Sequence, residues 1–158
     1  MPHVLMICTA NICRSPVAEG LLRDRLHKRG LTNWTVSSAG TWAQLKRGAS
    51  QNSVIVMNER GLDISNHLAQ MVEAQHLRQA DLVLCMETGH AEALRAEFHP
   101  YAPKIHLLTE MAGRHYSISD PYGQSLNAYK QMANEVEEII DEGLDEIIRL
   151  AEENAGGQ

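Results

Sequence analysis

Cys8 and Arg14 stand with five residues between them, in the stretch Cys8-Thr9-Ala10-Asn11-Ile12-Cys13-Arg14-Ser15, and a thiol and a guanidinium at that spacing suit the handling of a phosphate. Sulfur attacks phosphorus as the thiolate, the form favoured by a cationic neighbour or a helix N-terminus. A guanidinium fork can grip two phosphoryl oxygens, whereas an ammonium acts as a point charge. Charge that spreads over the equatorial oxygens during transfer would meet Arg14 and the loop from Thr9 to Cys13, with Ser15 behind it. No metal or cofactor is invoked. The bland alternative for the same residues is an ordinary strand-to-helix turn with a small buried Cys and a surface Arg.

The flanking elements decide how such a loop would be held. Val4-Leu5-Met6-Ile7 is a short apolar run of the kind found in buried strands, and Val17, Leu21, Leu22 and Leu26 give the next segment a helical apolar face. Ser15 is expected at the N-cap and Pro16 in the first turn. Asn11 can adopt a left-handed backbone, which a tight anion-cradling loop needs. A strand that turns directly into a helix aims successive N–H groups into one concavity, where the helix dipole adds a positive field.

Further strand-like runs lie at Trp34 to Ser38, Leu82 to Met86 and Ile105 to Leu108. Helical segments are expected near Pro16 to Arg29, Ser53 to Arg60, Val72 to Arg78 and Ala91 to Phe98. A long final helix is marked by Leu126, Tyr129, Ala133, Val136, Ile140, Leu144, Ile147 and Ile148 at three- and four-residue steps. Short apolar strands alternating with amphipathic helices predict an α/β fold: one domain over residues 1–158, with a four-stranded parallel sheet covered by helices on both faces and the phosphate-binding loop after the first strand. Ligands in such sheets bind beyond the carboxyl ends of the strands, where Cys8 would lie.

The formal net charge of −6 is unevenly spread, because Glu135 to Glu153 holds nine acids against one base and the rest of the chain has 11 acids against 13 bases. The acidic run is expected to be a solvated face. No basic stripe with interleaved aromatics points to nucleic acid. No apolar stretch suits a signal peptide or a membrane span, which leads to the expectation of a cytoplasmic protein without a membrane partner. Three cysteines, Cys8, Cys13 and Cys85, do not make a disulfide framework or a zinc site. Cys85, inside an apolar strand, is expected in the core. The eight histidines are scattered and expected mostly at the surface.

Asp120-Pro121 alone would mark a turn. Joined to Cys8-Thr9-Ala10-Asn11-Ile12-Cys13-Arg14-Ser15-Pro16, to Ser37-Ser38-Ala39-Gly40-Thr41, to Gly61-Leu62-Asp63-Ile64-Ser65-Asn66-His67 and to Ala80-Asp81-Leu82-Val83-Leu84-Cys85-Met86, it completes a pattern that resembles the low-molecular-weight protein tyrosine phosphatases. The resemblance covers nearly the whole chain. Ala10 stands where the family's loop has Gly.

The resemblance implies a phosphocysteine on Cys8, phosphate bound by Arg14, and Asp120 as the acid that protonates the leaving oxygen and later as the base that activates water. It implies that Asn11, Ser15, Ser38 and His67 form a hydrogen-bond network around the loop, with Ser15 also easing departure of the thiolate. It places Trp42 and Tyr122 as aromatic walls, while Gln70 replaces the family's Arg. Cys13 is either the partner of a reversible protective disulfide with Cys8 or a small packed side chain. The implied substrate is a phosphotyrosine-containing protein or peptide, with a tyrosine kinase as counterpart. Lys46 and Arg47 hint at acidic flanking residues. A sister group acting on phosphoarginine has Thr where this chain has Ile12, and a larger apolar residue there suits tyrosine better. An arsenate reductase would need a further thiol shortly after Cys85, where the chain reads Met86-Glu87-Thr88-Gly89-His90-Ala91. A phosphate-binding module without catalysis would have no need for both Cys8 and Asp120.

Overall fold

The computed structural model describes residues 1–157; Gln158, the last residue of the expected domain, lies outside the described residues. Four strands, β1 (His3–Cys8), β2 (Thr35–Gly40), β3 (Leu82–Cys85) and β4 (Ile105–Leu107), form one sheet in the order β2-β1-β3-β4. Every pairing is parallel. The helices are α1 (Arg14–Lys28), α2 (Gln51–Asn58), α3 (Ala74–Gln79), α4 (Thr88–Glu97) and α5 (Leu126–Gly156), with 3₁₀ turns at His99–Lys104 and Thr109–Ala112.

β1 is central, and Val4, Leu5, Met6 and Ile7 are fully buried, as expected of a parallel strand covered on both faces. Its alternation sorts the two layers. Val4, Met6 and Cys8 join the cluster that holds Leu21 and Leu22 of α1, Val56 of α2, and Val136 and Ile140 of α5. Leu5 and Ile7 join the opposite cluster, with Leu77 of α3 and Ala91 and Leu94 of α4. Both layers are therefore anchored by one strand that ends at the candidate nucleophile.

Ser15 is not the N-cap. Cys13 stands there, α1 begins at Arg14, and the Ser15 hydroxyl is engaged inside the loop instead. The helix starts this early because Asn11, at a φ of 59°, has already turned the chain. α5 is capped as a helix of this length should be, with the Ser125 hydroxyl accepting from Ala128 N at 3.3 Å. Its acidic face is not simply solvated. Arg25 of α1 reaches both Glu137 and Asp141, Arg29 reaches Asp145, Arg60 reaches Glu137 and Arg114 reaches Glu142, so basic side chains from other elements cross to α5. Among the described residues no helix is long and apolar enough to cross a membrane.

Candidate active site

The loop between β1 and α1 is held from below by a chain of directed hydrogen bonds. Asn11 Nδ2 can only donate, and it donates to Ser15 Oγ and Ser38 Oγ, both at 2.8 Å. The Ser15 proton is therefore free to point at Cys8 Sγ, 2.9 Å away, where it stabilises negative charge on sulfur. The Ser38 hydroxyl in turn donates to Glu19 Oε1 at 2.6 Å. His67 Nε2 donates to the Asn11 carbonyl at 2.6 Å, and Gln70 N donates to Asn11 Oδ1 at 3.0 Å. The network expected of Asn11, Ser15, Ser38 and His67 is thus assembled around one left-handed asparagine. Gln70 adds a bond from its side chain to the Ser38 carbonyl at 3.0 Å, so this position still braces the loop.

Above that network lies a cavity of about 220 Å³. Its floor is Cys8, Thr9, Ala10, Ile12, Cys13 and Arg14, and its walls are Trp42, Arg47, Asp120 and Tyr122. Asn11 and Ser15, grouped by sequence with the phosphate-facing residues, are fully buried and do not line it. Trp42 N bonds the Thr9 carbonyl at 2.9 Å and Thr41 N the Cys8 carbonyl at 3.0 Å, which stitches the wall to the floor. Gly40 permits this approach, since a Cβ there would lie 2.4 Å from Thr9 O. Arg47 stacks over the Tyr122 ring at 5.8 Å, which ties the two walls together.

Arg14 is 1% exposed, and a buried guanidinium needs partners. Nη1 donates to the Ile118 carbonyl and meets Glu87 Oε2, both at 2.7 Å, while Nη2 lies 3.6 Å from Asp120 Oδ2. Nε is buried with no hydrogen-bond partner among the described residues. An orphaned cationic donor beside this cavity calls for an acceptor from outside the chain, and an oxyanion supplies one. Asp120 is exposed; its Oδ1 accepts from Tyr122 N at 3.0 Å, an Asx turn that aims the carboxyl at the cavity mouth.

Cys8, Cys13 and Cys85 are all free thiols. Cys13 Sγ lies 3.4 Å from Tyr129 Oη, which also meets Ser50 Oγ at 3.0 Å. Burial pushes the Cys13 thiol up, and burial foremost pushes Tyr129 up to about 12, so both keep their protons at neutral pH. Burial likewise raises Cys85, in the core as expected.

Sequence reading missed Glu87 and His90. The histidines are less exposed than expected: only His27, His99 and His115 are exposed, and His90 is buried. Its Nε2 sits 2.9 Å from Thr9 Oγ1. The signal available was positional, because both residues follow β3 at the carboxyl edge of the sheet, where ligand sites gather. Among the described residues no group of three or more His, Cys, Asp or Glu side chains could hold a metal ion.

The family model for low molecular weight phosphotyrosine protein phosphatases matches residues 3–153. The chain belongs to that family. The phosphatase is 34% identical over 138 residues to the protein-arginine-phosphatase of Bacillus subtilis, covering 87% of this chain and 91% of the relative. A crystal structure of the low molecular weight protein tyrosine phosphatase from T. tengcongensis superposes with a TM-score of 0.88 at 37% identity, covering 92% of this chain and 99% of that one. The YwlE arginine phosphatase, as a mutant with a phosphorylated active-site serine in place of cysteine, superposes with a TM-score of 0.87 at 31% identity, covering 93% and 95%.

Proposed function

We propose that this phosphatase hydrolyses phosphotyrosine in proteins or peptides by two displacements through a phosphocysteine on Cys8. The observation that carries the reading is the meeting, in one cavity, of the Cys8 sulfur, the Arg14 guanidinium with its unpartnered Nε, and the Asp120 carboxyl, between two exposed aromatics. The phosphorylated active-site serine of the YwlE arginine phosphatase mutant supports the covalent step.

In the first step the Cys8 thiolate attacks phosphorus. The S–P bond forms as the O–P bond breaks, and Asp120 passes its proton to the departing phenolic oxygen. In the second, the Asp120 carboxylate takes a proton from water as the water oxygen attacks phosphorus. The P–S bond breaks, inorganic phosphate leaves, and the Ser15 proton receives the returning thiolate charge. Backbone N–H groups from Thr9 to Cys13 and the Arg14 fork hold the equatorial oxygens throughout.

Phosphoarginine is the second reading, favoured by the relatives that bear that activity in their names. Two residues lining the cavity weigh against it. Ile12 narrows the floor with an apolar side chain, and Arg47 on the rim repels a guanidinium while tolerating a neutral ring held between Trp42 and Tyr122. Phosphotyrosine proteins of the cytoplasm, opposite a tyrosine kinase, are the corresponding partners. In this reading Cys13, on the same loop, would be the thiol that captures an oxidised Cys8.

Turnover of an aryl phosphate by the unaltered protein, unchanged by chelator, is the expected result, with none from Cys8→Ser. Full activity in the serine form, or loss of activity in chelator, overturns the mechanism. Phosphotyrosine and phosphoarginine peptides compared side by side, with Ile12→Thr alongside, decide the subclass.

A further inference from the structure

His90 has no part in the reaction described above, yet it is 7% exposed and touches two residues of the site. Its Nε2 lies 2.9 Å from Thr9 Oγ1 and 3.6 Å from Glu87 Oε2, and that same carboxylate oxygen is 2.7 Å from Arg14 Nη1. Its Nδ1 is buried with no hydrogen-bond partner among the described residues. A buried N–H without an acceptor is costlier than a buried lone pair without a donor, so the single proton of the neutral ring belongs on Nε2. From there it donates to Thr9 Oγ1, and the Glu87 charge favours the same tautomer. The Thr9 hydroxyl proton is then free for an oxyanion in the cavity that Thr9 lines.

A second proton changes this arrangement. It must enter at Nδ1, where nothing receives it, and the imidazolium gains attraction for Glu87 Oε2, the oxygen that braces Arg14. The groups facing the ring are Glu87 on its own turn, Arg14 from α1 and Asp120 from the loop before α5. Burial is the largest influence and keeps the ring neutral below its ordinary 6.5; Arg14 acts with burial, while Glu87 and Asp120 oppose it.

We propose that His90 is a positioning residue of the phosphate-binding loop: neutral, it fixes the Thr9 hydroxyl and leaves Glu87 to Arg14, and doubly protonated, it competes for Glu87 and loosens the grip on the oxyanion. The inference rests on the phosphatase reading for its consequence in catalysis but concerns anion binding, which can be measured separately.

The test is calorimetric binding of sulfate, whose charge is constant between about pH 5 and 8, to the unaltered protein, His90→Leu and His90→Gln, with KM and kcat for an aryl phosphate. Gln keeps a donor at the position of Nε2 but does not titrate. At pH 7.5, His90→Leu should bind sulfate about tenfold more weakly and raise KM by a similar factor, with kcat changed far less, as loss of binding common to ground and transition states requires. His90→Gln should restore most of that affinity and should lack the additional weakening that the unaltered protein shows relative to it below pH 6.5. Unchanged sulfate affinity in His90→Leu, or a pH slope in His90→Gln equal to that of the unaltered protein, overturns the proposal. Should the leucine variant not fold, the slope of the glutamine variant decides alone. Absence of aryl phosphatase activity in the unaltered protein would count against the function proposed above and not against this role in binding.

Discussion

In the proposed mechanism, Asp120 is the residue whose contribution depends most on what leaves. A phenolate that is a poor leaving group needs its proton as the bond breaks, and a positioned acid supplies about 10²–10⁴-fold there. Asp120→Ala should therefore slow hydrolysis of aryl phosphates with poor leaving groups by that order and those with good ones far less; equal slowing across a leaving-group series removes Asp120 as the acid. The Cys8 and Arg14 pair drew attention through local spacing, whereas Asp120-Pro121 read alone marks a turn and took its expected role only from the family resemblance. Thr9 and His90 meet across 81 positions, and nothing local announces such a pair. Glu87 was hidden in the same way: its value lies in a 2.7 Å contact with Arg14 that exists only once β3 lies beside β1.

Elements were legible by period, and their ends were not. α4 begins at Thr88 rather than Ala91, since Ser117, from a distant loop, receives the Thr88 N–H at 2.9 Å and supplies the missing cap from outside the helix. α2 begins at Gln51 rather than Ser53 because Ser50 N is tied to the Ile12 carbonyl at 2.8 Å, which starts the helix against the phosphate-binding loop. Packing between elements yields a prediction at Gly143, where a Cβ on α5 would stand 2.8 Å from the Met111 backbone. Backbone cannot rotate aside as a side chain can. Gly143→Ala should lower stability by about 1–3 kcal/mol in denaturant unfolding, with kcat little changed; a variant as stable as the unaltered protein would mean that α5 and the turn at Thr109–Ala112 are not in contact as described.

The whole molecule couples its stability to acid through buried and half-buried imidazoles. His3, His90 and His106 are each pushed below the ordinary 6.5, chiefly by burial, so the unfolded chain binds more protons than the folded one as pH falls through that value. Their contribution to stability is complete above about pH 6.5 and is lost progressively below it. Tm should fall on acidification from pH 7.5 towards 5.5, with proton uptake on unfolding, and a flat profile would contradict the burial of these rings. The charge distribution was only half legible. Composition located the acidic run on the last helix, but its pairing with Arg25, Arg29, Arg60 and Arg114 depends on α1 and the loops lying across α5, a property of the assembled fold.

Rapid quenching of Asp120→Ala during turnover of an aryl phosphate with a good leaving group, followed by peptide mass analysis, reads the covalent intermediate itself. With the residue proposed to activate water removed, one phosphoryl group is predicted on the peptide carrying Cys8 and on no other. Turnover without any phosphorylated cysteine, or with the phosphoryl group on a different residue, would contradict the account.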